Sequence, residues 1–424
     1  MLDMAADDSR ILLVATALHA LPATMAQRLT RAGLKVGAVA PNTRFLKSVP
    51  LCVRAGYSPR LFEKVLQETV AEWRPSLLIP CDDRATEWLH RWHAHLSLAS
   101  DASTRWMAEL IETSLGDPRH FDVASSKSRL VALAADLGVR TPLSLPANSP
   151  DQIALAQREI PYPAMMKSDG AFGGCGVRSV ASAEDAVACL ESWRNPPLLR
   201  RAILDSLREG RTLPFVLRRN FQPPEIDLQA IIAGSPVNRA VLCQRGRVIA
   251  GVTVKALKTK PDNGPATVVE TFQHEQIKAD VARLVAALGL SGFAGFDFML
   301  DHDDRAWLIE LNPRVTPAAC LFSPSASPLV SALSQSLRQA NVVLADPAPG
   351  QRVVMFPQEF ERDPDSALLS TPEHYVPWDS PAFVKACLEN TLRPNLYARA
   401  SAAWRNRHPL KPAFSGALRE QSDH

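Results

Sequence analysis

Two stretches of the chain bring together residue types that do chemistry. The first reads Met165-Met166-Lys167-Ser168-Asp169-Gly170-Ala171-Phe172-Gly173-Gly174-Cys175-Gly176-Val177. A lysine closes an apolar, strand-like run, and Gly170, Gly173, Gly174 and Gly176 follow it closely. Glycines let successive backbone N–H groups point into one concavity, a shape that suits phosphate oxygens. The lysine sets a mobile positive charge beside it. No Gly-Lys-Ser/Thr follows, so this is not a P-loop, and a plain hairpin turn is the competing reading. The second stretch runs from Gly295 to Arg314. Asp297 and Glu310 sit inside apolar runs, on two strands joined by the acidic turn Asp301 to Arg305. Antiparallel pairing of those strands brings the two carboxylates close. A carboxylate in an apolar strand is costly unless it is paired, hydrogen-bonded or bound to metal. Asn312 adds a neutral oxygen two residues on, on the same strand face. Two carboxylates and an amide oxygen make a hard-cation site suited to Mg²⁺. Arg314 is able to hold a phosphate or a substrate carboxylate bidentately. A salt-bridged hairpin, with Arg314 pairing one of the carboxylates, is the alternative.

The elements that must position these groups are legible in outline. Ile11–Ala15 is an apolar run of strand length, followed by a helical segment through Met25 and Leu29 and a second strand over Leu34–Ala40. Ser58-Pro59 marks a helix start. Phe62, Val65, Leu66, Thr69, Val70 and Trp73 then make one apolar helical face. Pro75 ends that helix before a strand at Leu77–Pro80. Alternating strands and helices predict a parallel sheet with right-handed crossovers. The turn after the first strand, Thr16 to Pro22, has no glycine, which disfavours a dinucleotide-binding oxidoreductase. From Ser126-Lys127 a helix runs through Leu130, Leu133, Ala134 and Leu137 to Gly138. Residues 150–345 then alternate strand-like runs (Ala164–Lys167, Phe215–Leu217, Asp227–Ile232, Val248–Val254, Phe293–Leu300, Ala306–Leu311) with helical ones (Ala183–Trp193, Glu275–Leu288). The expected layout is an α/β domain over 1–120, an α+β body over 121–345 split near 215/216, and a small α/β extension over 346–424. Val353–Phe356 is a strand and Asp379–Leu392 a helix of that extension.

Composition narrows the function classes. The 424 residues are 46% hydrophobic, with 47 Lys+Arg against 44 Asp+Glu. A near-neutral, apolar-rich chain is not intrinsically disordered, and the small basic excess shows no nucleic-acid footprint. No run is long enough to cross a membrane. Met1–Arg10 carries Asp3, Asp7 and Asp8 without a basic region ahead of an apolar run, so it does not read as a signal peptide. Seven scattered cysteines without a Cys-x-x-Cys pair fit reduced thiols of a cytoplasmic protein better than a zinc site.

Taken in order, these segments resemble the ATP-grasp ligases, on the side of biotin carboxylase and the large subunit of carbamoyl-phosphate synthetase. Three pieces carry the resemblance: Ser126-Lys127 with Gly138-Val-Arg-Thr-Pro142, the approach Gly289 to Phe298, and above all Glu310-Leu-Asn312-Pro-Arg314. The resemblance implies a domain preceding a two-lobed ATP-grasp fold, with ATP and Mg²⁺ (Mn²⁺ as a substitute ion) as cofactors. It implies that Lys127 and Lys167 contact the phosphates or the adenine, that Gly170 to Gly176 cover the triphosphate, and that Glu225 binds the ribose. It places Asp297, Glu310 and Asn312 on the metal, Arg314 on the transferred phosphoryl group, and Lys255 within reach of phosphate. One departure stands out: the segment expected to face the adenine, Val216 to Phe221, carries Arg218-Arg219 where the family usually has an acid. The implied activity is a carboxylate–amine ligase acting through an acyl-phosphate on small-molecule substrates. A carboxylate–thiol ligase, a carboxylase and a non-catalytic ATP-binding regulator are the alternatives. A homo-oligomer contact or a share of the acceptor pocket is the expectation for the C-terminal extension.

Two polar clusters lie outside this scheme. Glu87, His90 and His93 share a helical face that reads as solvated, with a metal site as the alternative. Cys81-Asp82-Asp83 follows a strand end, where an aspartate either touches substrate or caps the next helix.

Overall fold

The computed structural model describes residues 9–17, 19–41, 44–57, 61–98, 101–169, 176–194, 225–260, 264–322, 327–338 and 344–392. The glycines 170, 173 and 174, the strand expected at 215–217, the helix start at 58–59 and Arg218-Arg219 lie outside the described residues.

The N-terminal part is built as the alternation predicts. Strands β1 (Arg10–Val14), β2 (Lys35–Pro41), β3 (Val53–Tyr57) and β4 (Leu77–Pro80) form a parallel sheet in the order β3-β2-β1-β4. The helices between and after them are α1 (Leu21–Arg31), α2 (Arg44–Lys47), α3 (Phe62–Trp73), α4 (Asp83–Leu96) and α5 (Ala102–Leu115). Leu12, Val14 and Leu78 turn one face of the sheet onto Leu66, Leu89 and Ile111 of α3, α4 and α5. The chain order changes side between β1 and β4, so the loops after these two strands flank the crevice where sheets of this kind bind ligands.

Short helices α6 (Phe121–Ser125) and α7 (Lys127–Asp136) lead into a four-stranded sheet of order β5-β8-β6-β7. It comprises β5 (Ser144–Pro146), β6 (Ala164–Ser168), β7 (Val177–Val180) and β8 (Ile226–Ala230), backed by α8 (Pro150–Ala156) and α9 (Ala183–Arg194). The expected lobe division at 215/216 therefore moves: β8 pairs with both β5 and β6 and completes the first lobe.

A six-stranded antiparallel sheet of order β13-β12-β9-β10-β11-β14 forms the second lobe. Its strands are β9 (Ser235–Gln244), β10 (Arg247–Thr259), β11 (Ala266–Thr271), β12 (Gly292–Leu300), β13 (Ala306–Asn312) and β14 (Arg352–Val354). Between them lie α10 (Glu275–Leu288) and α11 (Pro328–Arg338), and beyond them α12 (Gln358–Arg362) and α13 (Pro381–Leu392). One face packs on α7 and α10 through Val241, Phe296, Phe298, Leu284 and Leu130. The other face, with Leu242 and Val252, shares a continuous core with Ile11 and Leu13 of the N-terminal sheet and with Leu329 of α11. The segment 346–392, expected as a separate extension, contributes β14 to this sheet, where Val353 stands opposite Val269. Among the described residues no helix is long and apolar enough to cross a membrane.

Candidate active site

The β12–β13 hairpin sets the two carboxylates face to face. Asp297 is the register partner of Glu310, and Gly295 that of Asn312, so Asp297, Glu310 and Asn312 share one pleat. A bulge between Asp297 and Phe298 produces this register. On its other side Asp297 is opposite Asn238 of β9. Asn238 Nδ2 donates to Asp297 Oδ1 at 2.7 Å and Asn312 Nδ2 donates to Asp297 Oδ2 at 2.8 Å. Asn238 escaped the sequence reading, because polar Asn238 and Arg239 interrupt its strand. The signal available was the apolar run that resumes at Ala240.

Burial, with the nearby Glu310 carboxylate, pushes Asp297 up to about 6 against the pull of its two amide donors and Arg314. This is the state of a carboxylate pair that a cation would settle. A carboxylate offers about four lone-pair positions, and Asp297 uses two on amides, so its oxygens and those of Glu310 remain suited to a hard cation. The two carboxylates suit Mg²⁺, whereas Asn312 turns its Nδ2 to Asp297 and its Oδ1 to Arg314, so its oxygen would join them only on leaving Arg314.

Two lysines lie beside this pair, one on α7, which packs on the six-stranded sheet, and one on β6 of the first lobe. Lys127 Nζ lies 3.6 Å from Glu310 Oε1. It opens α7, whose N-cap, Ser126, accepts from the Arg129 N–H. Lys167, at the end of β6, is only 8% exposed. Burial pushes its ammonium down to about 8, although Glu310, Asp297 and Asp227 pull it back up. Asp227 stands opposite Lys167 on β8; burial first, then Asp169 and Glu225, push it up to about 6. Asp169, directly before the glycine segment, receives Ser126 Oγ at 2.7 Å, the Lys127 N–H at 3.0 Å and Ser128 Oγ at 3.2 Å. The root of the glycine segment is thereby tied to the helix that carries Lys127. At the other end of that segment, buried Gly176 accepts from the Ser168 N–H at 2.8 Å. Exposed Glu225 accepts from Ser128 Oγ at 3.0 Å, so it lies beside the same helix end. Asp169 and Asp227 were not singled out in the sequence, where each is one more acid beside an apolar run.

Arg314 pairs with neither Asp297 nor Glu310. Its Nε and Nη2 donate to Asp83 Oδ1 and Oδ2 at 2.6 and 3.1 Å, and Nη2 also donates to Asn312 Oδ1 at 2.9 Å. Asp82 caps α4 and pins the loop after β1, accepting from the N–H groups of Thr16, Ala17 and Ala85 and from Thr16 Oγ1. The structure therefore gives Asp82 the capping role and Asp83 the pair with Arg314. Lys255 is not brought into the group by register: it stands opposite Val237 and Glu270, on the pleat alternate to the Val254–Asn238–Asp297 row. The expected solvated face at His90 and His93 is also corrected. His90 stacks on Phe121 with ring centroids 4.0 Å apart, and buried His93 bonds Glu112 at 2.8 Å. Burial, with His93 beside it, holds His90 down to about 3.

The raised carboxylates give a pH prediction with a definite sign. Between about pH 4 and pH 6 the folded chain holds protons on Asp297 and Asp227 that the unfolded chain has lost, so stability without divalent cations falls as pH rises through this window. A cation on the ionised pair restores it. The rise in melting temperature caused by Mg²⁺ is expected to be larger at about pH 7.5 than at about pH 5. An equal rise at both would remove Asp297 from the ligand set.

Residues 126–326 match the family described as the carbamoyl-phosphate synthase L chain, ATP binding domain. The carbamoyl phosphate synthase large chain of Xylella fastidiosa (strain Temecula1 / ATCC 700964) is 23% identical over 205 residues, which cover 47% of this chain and 17% of the relative. The match thus spans about a sixth of that relative's length. Among solved structures, the biotin carboxylase domain dimer of Hydrogenobacter thermophilus 2-oxoglutarate carboxylase, in complex with MgADP, ADP and bicarbonate, superposes with a TM-score of 0.55. It is 14% identical, with 79% of this chain and 71% of the other covered. L-amino acid ligase from Bacillus licheniformis superposes with a TM-score of 0.54 at 16% identity, covering 78% and 76%.

Proposed function

We propose, from the match of residues 126–326 to the carbamoyl-phosphate synthase ATP binding domain family, that this chain is an ATP-grasp enzyme: an ATP-dependent ligase that phosphorylates a small-molecule carboxylate and joins the resulting acyl group to an amine, releasing ADP and phosphate. The observation that carries the reading is the opposed Asp297–Glu310 pair with Lys127 beside it and Lys167 facing it from the first lobe.

A carboxylate is a poor electrophile because its oxygen is a poor leaving group. Phosphorylation converts that oxygen into part of a good one, and an amine then displaces phosphate. The protein's task is to hold two anions together and neutralise their charge. Bound Mg²⁺ would offset charge on the phosphate oxygens. Asp297, Glu310 and Asn312 are the residues that would hold it. Lys127, on α7, and Lys167, on β6 of the first lobe, supply positive charge beside the pair, where burial makes it more effective than in water. The segment from Gly170 to Gly176 is proposed to cover the triphosphate and keep water from the acyl-phosphate, with Glu225 on the ribose.

A second reading, a carboxylase in which bicarbonate is the phosphorylated acid, draws support from the likeness to the bicarbonate-bound biotin carboxylase domain. Both are tested together by ADP release from Mg-ATP against pools of carboxylic acids and amines, with and without bicarbonate, using Glu310→Gln as the control. ADP that needs one acid pool and one amine pool supports the ligase; ADP that needs bicarbonate supports the carboxylase. AMP with pyrophosphate would overturn the acyl-phosphate route. Mg-ATP binding without ADP in any pool would favour a binding protein.

A further inference from the structure

The strand that carries Glu310 and Asn312 ends against the N-terminal parallel sheet. Val315 N–H donates to Pro80 O at 3.1 Å, and Thr86 Oγ1 donates to Pro313 O at 3.2 Å. Arg314 is thus bracketed on both sides by backbone fixed to β4 and α4. Asp83, in the first turn of α4, then takes the Nε/Nη2 edge of its guanidinium with both carboxylate oxygens.

Counting donors shows what this leaves. A guanidinium has five N–H groups. Two go to Asp83, one on Nη2 goes to Asn312 Oδ1, and one on Nη1 goes to Val315 O at 3.3 Å. The remaining N–H is on Nη1. Release of the Asn312 oxygen frees a second on Nη2. The edge turned away from Asp83 then carries N–H groups on both terminal nitrogens, a fork that matches a phosphate or carboxylate. The helix N-terminus offsets part of the charge on Asp83, so the guanidinium keeps its attraction for an anion while its plane is fixed.

We propose that Asp83 is a positioning residue: by holding the Nε/Nη2 edge of Arg314 it aims the Nη1/Nη2 edge at the Asn312–Asp297 side of the site, where that edge seats the phosphoryl group. The N-terminal domain thereby supplies part of the centre carried by the second lobe. The inference rests on the nucleotide reading above, and its test separates the two.

The measurement is calorimetric titration of Mg-ADP, and then of inorganic phosphate into the Mg-ADP-loaded full-length chain. Wild type is expected to bind both. Asp83→Asn is expected to weaken phosphate at least about tenfold while Mg-ADP affinity stays within about twofold, a split that general loosening would not produce. Tyr57→Phe, which removes a bond within the N-terminal sheet (Tyr57 Oη to Ala15 O, 2.8 Å) and touches neither Arg314 nor the backbone that brackets it, is expected to leave phosphate affinity unchanged. Tighter phosphate binding in Asp83→Asn would mark Asp83 as a competitor for Arg314 and overturn the inference. Equal losses in Asp83→Asn and Tyr57→Phe, or parallel loss of Mg-ADP and phosphate, would do the same. A wild-type chain that binds Mg-ADP but no phosphate also overturns it and leaves the nucleotide reading standing. Failure to bind Mg-ADP would overturn both.

Discussion

Glu310→Gln is expected to lower ATP-dependent turnover by about 10²- to 10³-fold and to leave the fold intact. The substitution keeps the shape of the side chain, which is 36% exposed, so no core packing is lost. It removes one of two opposed carboxylates and the charge 3.6 Å from Lys127. A neutral amide still offers an oxygen, but a weaker one for a hard cation. Loss of the Glu310 charge also lets Asp297 ionise more easily, because Glu310 is one of the groups that push it up. The mutant should therefore show a melting temperature near that of wild type without Mg²⁺ and a diminished rise when Mg²⁺ is added. Turnover of the variant within about twofold of wild type would remove the pair from the catalytic centre.

Asp346→Ala is expected to cost about 3–5 kcal/mol of stability. Arg239 lies at 4% exposure in the middle of the six-stranded sheet. It donates to Asp346 Oδ2 and Oδ1 at 2.6 and 3.2 Å and to Thr253 Oγ1 at 2.6 Å. Gly251 makes room for it: a Cβ there would stand 2.3 Å from Arg239 Nη2. Removing Asp346 leaves a buried guanidinium with a hydroxyl in place of its counter-charge, which desolvation penalises heavily. The midpoint of urea unfolding, with its slope, measures the loss. The double variant Arg239→Met/Asp346→Leu should recover most of it, because no charge is then left buried. A double variant no better than the single one would show that the pair contributes something that apolar packing cannot replace.

Much of the site was readable because chemistry and periodicity coincide there. Lys167 ends an apolar run before a cluster of glycines, and Asp297, Glu310 and Asn312 are polar residues in strands otherwise built for a core. That antiparallel pairing brings Asp297 and Glu310 close was readable; the register that sets them directly opposite each other was not. Leu300 pairs with Ala306 and Phe298 with Leu308. Without the bulge that ladder would set Asp297 against Ile309 and turn Glu310 onto the apolar face beside Phe296. A one-residue slip exchanges the two faces of a strand. The bulge is a local choice made by packing on both sides of the sheet, and nothing in the spacing announces it. Strand β9 was missed for a related reason. As the central strand it is covered on both faces, and Arg239 is tolerated there only because Asp346, far along the chain, reaches it.

By itself, then, the sequence determined the inventory and the local elements: the parallel N-terminal alternation, the helix that opens at Lys127, the glycine segment after Lys167, and the acidic hairpin ending in Arg314. These follow from periodicity, capping and the cost of placing charge in apolar strands, all short-range properties. Only the tertiary structure decided which polar groups meet. Asp169 joins the Lys127 helix, Asn238 joins Asp297, Asp227 stands opposite Lys167, and Asp83 takes Arg314 from the other end of the chain. Each of these contacts is non-local, fixed by strand register and by the docking of one sheet on another. A carboxylate looks the same in the sequence whether it caps a helix, tunes a lysine or aims an arginine.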